Sequence, residues 1–218
     1  MVSGNYILLD SARMNEEMDN AKLLNPNFEL LYKTKGNDLL QTVAPYLYTF
    51  SDGNDFSDYF FENGWGGSWG IFIFTSSDFK ELHKHLRRFL TVRTEDGVEL
   101  YFRFYDPRVL RIFLPTCDTK QLFEFFGPVH FFLMEDQDPN FGVKFWLENG
   151  LLKSKQIPLH EIYPGNQVIE NTKKPIPSEN ENKIILNFQR NQSVSNRNVD
   201  TQEQMISKPS KPKWNMFD

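Results

Sequence analysis

The residue types best suited to chemistry or recognition gather around one predicted strand-to-helix junction. This group combines three arginines, one aspartate and two tyrosines: Tyr101, Arg103, Tyr105, Asp106, Arg108 and Arg111. Asp106 followed by Pro107 is typical of a helix N-cap and the first helical position. We expect Arg103 to pair with Asp106 beside that cap. Because arginine and tyrosine dominate the binding energy of protein interfaces, the group predicts either a structural ion-pair network or a partner-binding surface.

The same junction also allows a catalytic interpretation. Asp106, with Arg103 and Arg108 as charge stabilisers, could serve a small hydrolase or transferase. That interpretation requires a concave pocket at Arg103 and Asp106 that contains a carboxyl group of strongly perturbed pKa.

A glycine-rich stretch at residues 64–70 resembles a phosphate-binding loop in composition only. A nucleotide loop must follow a strand and open a helix, so that the helical N–H groups point at the phosphate. Here a predicted helix precedes the glycines and a predicted strand follows them, and the stretch has no lysine. We therefore expect a tight helix-to-strand turn in which the glycines let Trp65 and Trp69 pack, and we keep Trp65 as a candidate for partner contact.

Other catalytic and metal-binding motifs fail on spacing. His83 and His85 are two positions apart, so a helix would point them to different faces. Cys117 has no local nucleophile signature, and the chain has no Gly-x-Ser-x-Gly elbow. The sequence therefore predicts no catalytic residue, no cofactor and no metal.

Hydrophobic patterning defines the elements that must position these residues. Strands are expected over 6–10, 28–32, 46–50, 69–75, 90–94, 98–105, 129–134 and 143–147. Helices are expected over 14–24 and 56–62, from a cap near Asp78 to Phe89, from Pro107, and over 119–126. The stretch 69–75 is apolar on both faces and is expected at the middle of the sheet. The fold class is α/β of the α+β type, a mixed β-sheet with flanking helices plus a polar C-terminal extension.

The chain has two compositions, with a boundary near residue 164. Residues 1–164 hold 30 of the 33 aromatic rings and 16 Lys/Arg against 23 Asp/Glu, whereas residues 165–218 hold 8 against 6. The apolar run 183–188 reads as a short added strand. The segment 208–217 is an extended Pro/Lys spacer that carries Trp214 and Phe217, so it is either a docking peptide or an unstructured end.

Net charge and cysteine usage limit the partners. The formal net charge of -5 provides no field that would gather nucleic acid or an anionic membrane surface. A single cysteine excludes an internal disulfide and suits a reducing compartment. We find no signal-peptide pattern and no apolar run long enough to span a bilayer, so we expect a cytoplasmic protein.

Several stretches together resemble the adaptor, or effector-chaperone, family of type VI secretion systems. They are LLDSAR at 8–13, APYL at 44–47, GWGGSWGIF at 64–72, LRRFLTVR at 86–93, YFRFYDPRVLRIFLPT at 101–116 and FFGP at 125–128. The resemblance covers roughly residues 6–134, and the stretch 101–116 is its most specific part.

The resemblance implies a non-catalytic bacterial cytoplasmic protein that holds an effector toxin and helps load it onto the spike-tip protein. The expected partners are that toxin and the spike-tip protein, and the family has no agreed catalytic residues. An immunity protein that neutralises a toxin is a further alternative. The candidate partner-binding residues are Trp65, Tyr101, Arg103, Tyr105, Asp106, Arg108, Arg111, Trp214 and Phe217.

Overall fold

A seven-stranded antiparallel sheet organises the computed structural model, which describes residues 4–32, 44–93 and 97–164. The strands are β1 (Gly4–Asp10), β2 (Phe28–Leu30), β3 (Pro45–Thr49), β4 (Gly70–Thr75), β5 (Thr91–Arg93), β6 (Glu99–Tyr101), β7 (Val129–Glu135), β8 (Phe141–Glu148) and β9 (Leu151–Pro158). The large sheet has the order β2-β3-β1-β4-β7-β8-β9, and β5 pairs with β6 in a separate two-stranded sheet.

Seven short α-helices accompany the strands in the described residues. They are α1 (Ser11–Met14), α2 (Glu17–Leu24), α3 (Asp55–Tyr59), α4 (Phe79–Arg87), α5 (Pro107–Phe113), α6 (Thr119–Phe126) and α7 (Leu159–Ile162). A π-helical segment, Phe60–Gly64, continues α3, and a 3-10 turn, Leu114–Thr116, continues α5. None of the helices that the structure describes is long and apolar enough to cross a membrane.

The predicted α+β class and the central position of β4 are confirmed. β4 is the fourth of seven strands, and its side chains are buried on both faces. Ile71 and Ile73 pack with α4, α5, α6 and the small sheet, whereas Phe72 packs with α1, α2 and α3. The expectation of a mixed sheet needs one correction, because every strand pair in the described residues is antiparallel.

Side-chain caps explain where the helices begin. In each case a carboxylate or amide oxygen accepts a hydrogen bond from a backbone N–H of the first turn, which otherwise has no partner. The capping residues are Asp10, Asn54, Asp78, Asp106 and Asp118. The caps expected near Asp78 and at Asp106 are therefore present.

The end of the body differs from the sequence expectation. β8 is followed by β9 and α7, neither of which was predicted. The connecting residues Asn149 and Gly150 have φ values of 53° and 76°. Two consecutive positive φ angles define the tight hairpin turn for which Asn-Gly is the strongest sequence signal. That signal was present and could have located β9.

Two other elements are shorter than expected. The helix predicted over 14–24 is divided at Asn15, which has φ 50°. The strand predicted over 98–105 ends at Tyr101, because Phe102, Phe104 and Tyr105 turn into the core instead of alternating between two faces. The hairpin itself is confirmed, as β5 and β6. Residues 165–218, with the strand predicted over 183–188, lie outside the described residues.

Candidate functional site

The directions of strands β1 and β7 bring their two acidic C-terminal residues to the same edge of the large sheet. β1 and β7 both pair antiparallel with β4, so they run in the same direction and end at the edge where β4 begins. Asp10 is the last residue of β1, and Glu135 is the last residue of β7. The glycine turn, residues 64–69, enters β4 at this edge, and the backbone N–H of Asp10 donates to the Trp69 carbonyl over 2.7 Å.

The first charge pair joins Arg103 to Asp10. The Arg103 Nη2 group donates to Oδ2 of Asp10, whose other oxygen accepts from the Ala12 backbone N–H at 3.0 Å. Asp10 is fully buried, and this burial raises the pKa of its carboxyl group, against the opposing effect of Arg103. The expected pairing of Arg103 with Asp106 is therefore wrong. The fold brings a residue 93 positions away in sequence closer to the guanidinium.

The second charge pair is local and joins Arg108 to Asp106. Arg108 donates from Nε to Oδ1 at 3.0 Å and from Nη2 to Oδ2 at 2.6 Å, so the pair is bidentate. The Arg108 backbone N–H also donates to Oδ1 at 3.0 Å, as expected for a helix N-cap. Both oxygens of the buried Asp106 carboxylate are thus occupied.

The glycine turn binds a carboxylate of its own chain. Glu135 accepts from the Gly66 N–H at 2.6 Å, from the Ser68 N–H at 3.1 Å and from the Ser68 hydroxyl at 2.9 Å. Gly66 and Ser68 have φ values of 81° and 57°, which turn their N–H groups toward one point. Burial raises the pKa of Glu135, and the hydrogen bonds from Ser68 and Gly66 and the charge of Arg111 oppose that rise.

Glu135 was not selected from the sequence, although one signal was available. It ends β7, in which most of the preceding side chains are apolar, so a charged side chain at its buried end is an exception. A buried carboxylate needs hydrogen-bond partners, and the glycine turn provides them. The expected helix-to-strand turn is confirmed, with an additional role in holding this carboxylate.

Two further guanidinium groups bind the same region. Arg111 donates from Nη1 to the Glu135 carbonyl at 2.5 Å, and Arg13 donates from Nη2 to the Gly67 carbonyl at 3.0 Å. Arg13, Arg103, Arg108 and Arg111 are called the arginine cluster below. They surround three buried carboxylates, those of Asp10, Asp106 and Glu135.

Comparison with known protein families gives one match. A family model described as a domain of unknown function, DUF4123, matches residues 5–124, just over half of the sequence. The chain belongs to the DUF4123 family. The DUF4123 match includes every member of the arginine cluster and ends before Glu135. No curated protein and no solved structure matches the chain.

Within the DUF4123 match, the rings chosen from the sequence divide into surface and core. Tyr101 is 40% exposed, and its ring lies edge-on to that of Tyr32. Tyr105 is fully buried and donates from its hydroxyl to that of Tyr101 at 3.3 Å. Trp65 is buried beside Phe61 and donates from Nε1 to the Pro139 carbonyl at 2.7 Å. The expectation that Tyr105 and Trp65 contact a partner therefore needs correction, because both rings are buried inside the body.

The two remaining ring candidates, Trp214 and Phe217, lie outside the residues that the structure describes. The charged candidates are placed at the surface to different extents. The side chains of Arg103 and Arg108 are 39% and 18% exposed. The side chain of Arg111 is also half-buried. These three arginines and Tyr101 form the accessible part of the predicted surface.

Residues with possible reactivity elsewhere have packing roles. Nε2 of His83 lies 3.0 Å from the Leu30 carbonyl, and Nε2 of His85 lies 2.9 Å from the Phe125 carbonyl. Burial raises the pKa of Cys117 to about 12, so its thiol is protonated at neutral pH. Among the described residues no cluster of three His, Cys, Asp or Glu side chains could hold a metal ion.

A cavity of about 230 Å³ lies on the sheet face covered by α3 and α7, away from Arg103 and Asp106. Its lining is mainly apolar and includes five phenylalanines, with Asp52, Lys144 and Glu161 as its charged residues. None of the lining residues belongs to the arginine cluster. The pocket that the catalytic interpretation placed at Arg103 and Asp106 therefore does not coincide with this cavity.

Proposed function

We propose that this DUF4123 protein is a non-catalytic cytoplasmic adaptor that binds a type VI secretion effector toxin and helps load it onto the spike-tip protein. The observation that carries the proposal is the strand-to-helix corner, residues 101–111. It lies in the most specific part of the resemblance to the effector-chaperone family, and the family match covers it completely.

The chemistry of the corner supports binding. Tyr101, Arg103 and Arg108 are residue types that supply most of the binding energy at protein interfaces. Both oxygens of Asp106 are engaged by Arg108, and Asp10 is engaged by Arg103 and the Ala12 N–H. The carboxylates thus hold the arginines in place, which favours a recognition surface of fixed geometry over a reacting group.

Co-expression tests the proposal directly. The chain is expressed with the effector and spike-tip proteins encoded beside its gene and purified by a tag on the effector, and the mass of the complex is measured in solution. We expect a stoichiometric complex with the effector, and loss of effector secretion when the gene is deleted. Absence of a complex together with unaffected secretion would refute the adaptor function. Rescue from toxicity without any effect on secretion would instead support an immunity protein.

A matched pair of variants places the interface. Tyr101→Ala is expected to weaken the effector complex about tenfold or more, as for removal of a hot-spot aromatic side chain. Leu23→Ala is the control, because Leu23 is an 82% exposed apolar residue on α2. Equal affinity of both variants and the unmodified protein would place the interface away from the corner.

A further inference from the structure

The arginine cluster has more hydrogen-bond donors than acceptors. All six oxygens of the Asp10, Asp106 and Glu135 carboxylates accept hydrogen bonds from the chain itself. Every carboxylate oxygen is therefore already engaged by the chain, whereas each guanidinium carries five N–H donors.

Several of those donors remain available. Arg103 donates to Asp10 through Nη2, and Arg111 donates to the Glu135 carbonyl through Nη1. The Nε atoms of Arg13 and Arg103 have no hydrogen-bond partner in the part of the chain that the structure describes, but they are buried and therefore inaccessible to a ligand at the surface. The donors that such a ligand can reach belong to the partly exposed side chains of Arg103 and Arg108. Four guanidinium charges face three carboxylates, and burial raises the pKa of Asp10 and of Glu135, which lowers the cost of protonating them. A partner group that binds this cluster would therefore need to supply acceptor oxygens and negative charge.

We propose that the arginine cluster binds a short acidic segment of the partner protein, whose carboxylates accept from the exposed ends of Arg103 and Arg108. This inference rests on the proposed adaptor function and specifies the chemistry of its partner. Carboxylates suit this site because arginine binds them through two parallel hydrogen bonds. Tyr101, exposed beside Arg103, contributes ring surface and a hydroxyl group at the edge of the same site.

Charge beyond the cluster favours a protein segment over nucleic acid. Residues 1–164 have seven more acidic than basic side chains, so a long polyanion would be repelled outside the cluster. A short segment seated on the guanidinium groups gains its contacts within a few ångströms. The remaining surface charge is screened over roughly 8 Å at physiological ionic strength.

The test uses a fluorescein-labelled hexaglutamate peptide and the full chain at low ionic strength. In the double variant Asp10→Asn/Arg103→Gln, both charges of the buried pair are removed while side-chain amides remain to hydrogen-bond. Arg93→Gln is the matched control, because Arg93 is a 62% exposed arginine on the neighbouring hairpin strand β5. Thermal unfolding verifies that each variant is folded before anisotropy is measured.

We expect the unmodified protein to bind hexaglutamate, with no binding of a hexalysine peptide. The double variant should bind about tenfold more weakly or worse, whereas Arg93→Gln should bind as the unmodified protein does. Salt should weaken the binding. No binding by the unmodified protein, an equal loss in the Arg93→Gln control, or tighter binding of a single-stranded RNA oligonucleotide would each overturn the inference.

The effector complex separates this inference from the proposed function. If the unmodified protein and the folded double variant bind the effector equally, the acidic-segment inference fails while the adaptor function stands. If hexaglutamate binds as expected but no effector complex forms, the chemistry of the site is supported and the adaptor function fails.

Discussion

The glycine turn and the strand-to-helix corner concentrate N–H donors at neighbouring places but satisfy them differently. In the turn, Gly66 and Ser68 direct their donors onto Glu135, a carboxylate fixed by β7 and buried with them. At the corner, Arg103 and Arg108 hold one carboxylate each and keep exposed guanidinium surface. The turn is an anion cradle already occupied by the chain, whereas the corner retains capacity for a further anion.

The comparison teaches that donor-rich sequence does not by itself identify a ligand site. Glycine-rich backbone can satisfy its donors with a side chain that is distant in sequence. The arginines can do so only in part, because a guanidinium has more donors than one carboxylate accepts. Mutation of the turn and of the buried carboxylates of the corner should therefore reduce stability, whereas mutation of the exposed Tyr101 should mainly reduce binding.

The largest effect is expected at the turn, for Glu135→Leu. This change leaves the N–H groups of Gly66 and Ser68 and the Ser68 hydroxyl without their acceptor. At about 1–3 kcal/mol for each buried unsatisfied group, the free energy of unfolding should fall by at least about 3 kcal/mol, measured by urea denaturation. Glu148→Leu, at an exposed position on β8, should change it by less than about 0.5 kcal/mol. Equal effects of the two substitutions would remove the difference drawn between the turn and the surface.

The next largest effect is expected for Asp10→Ala. Breaking a buried ion pair costs about 3–5 kcal/mol, and we expect about 2 kcal/mol here because Arg103 stays partly solvated. Asp10→Asn, which keeps the cap on the Ala12 N–H, should lose less. Urea denaturation of the two variants measures the difference. If Asp10→Ala were as stable as the unmodified protein, the Arg103 pair would not be structural.

A smaller effect is expected for Asp106→Asn. The amide oxygen retains the cap on the Arg108 N–H but loses the charge-assisted pair. The expected loss in the free energy of unfolding is about 1 kcal/mol, and the effector complex should weaken as well, because Arg108 is no longer held by two charge-assisted hydrogen bonds. The catalytic alternative, which stays untested, predicts instead a folded protein that loses turnover. Detection of any activity that disappears in this variant would favour it.

The smallest effect concerns pH and compares the unmodified protein with Glu135→Gln. Burial raises the pKa of Glu135 above 4.5 in the folded state. The folded protein then holds a proton that the unfolded chain has released, so stability falls as pH rises through the interval between the two pKa values. Glu135→Gln has no such proton. Its stability relative to the unmodified protein should therefore improve from about pH 4.5 upward, as followed by urea denaturation at successive pH values. A constant difference across that range would contradict the shift.

Local signals accounted for much of the fold. The cap at Asp106, the hairpin around Gly97 and the two-sided burial of β4 each depend on a few adjacent residues, and the structure confirms them. The prediction was less complete for the second half of the body, because the Asn149-Gly150 sequence that indicates a hairpin turn before β9 was not used. The sequence also did not predict that Tyr101 is exposed while Tyr105 is buried, because strand alternation fails where the chain turns into the core.

By itself the sequence determined the residue types of the site, the cap at its centre and the membership of the DUF4123 family. Only the tertiary structure decided that Arg103 binds Asp10 and that Glu135 fills the glycine turn. Those partners are 93 and 69 positions apart. Capping and turn formation depend on neighbouring backbone groups, whereas buried charge pairing depends on which strand ends meet at one edge of the sheet. That meeting is set by strand order, which no local pattern encodes.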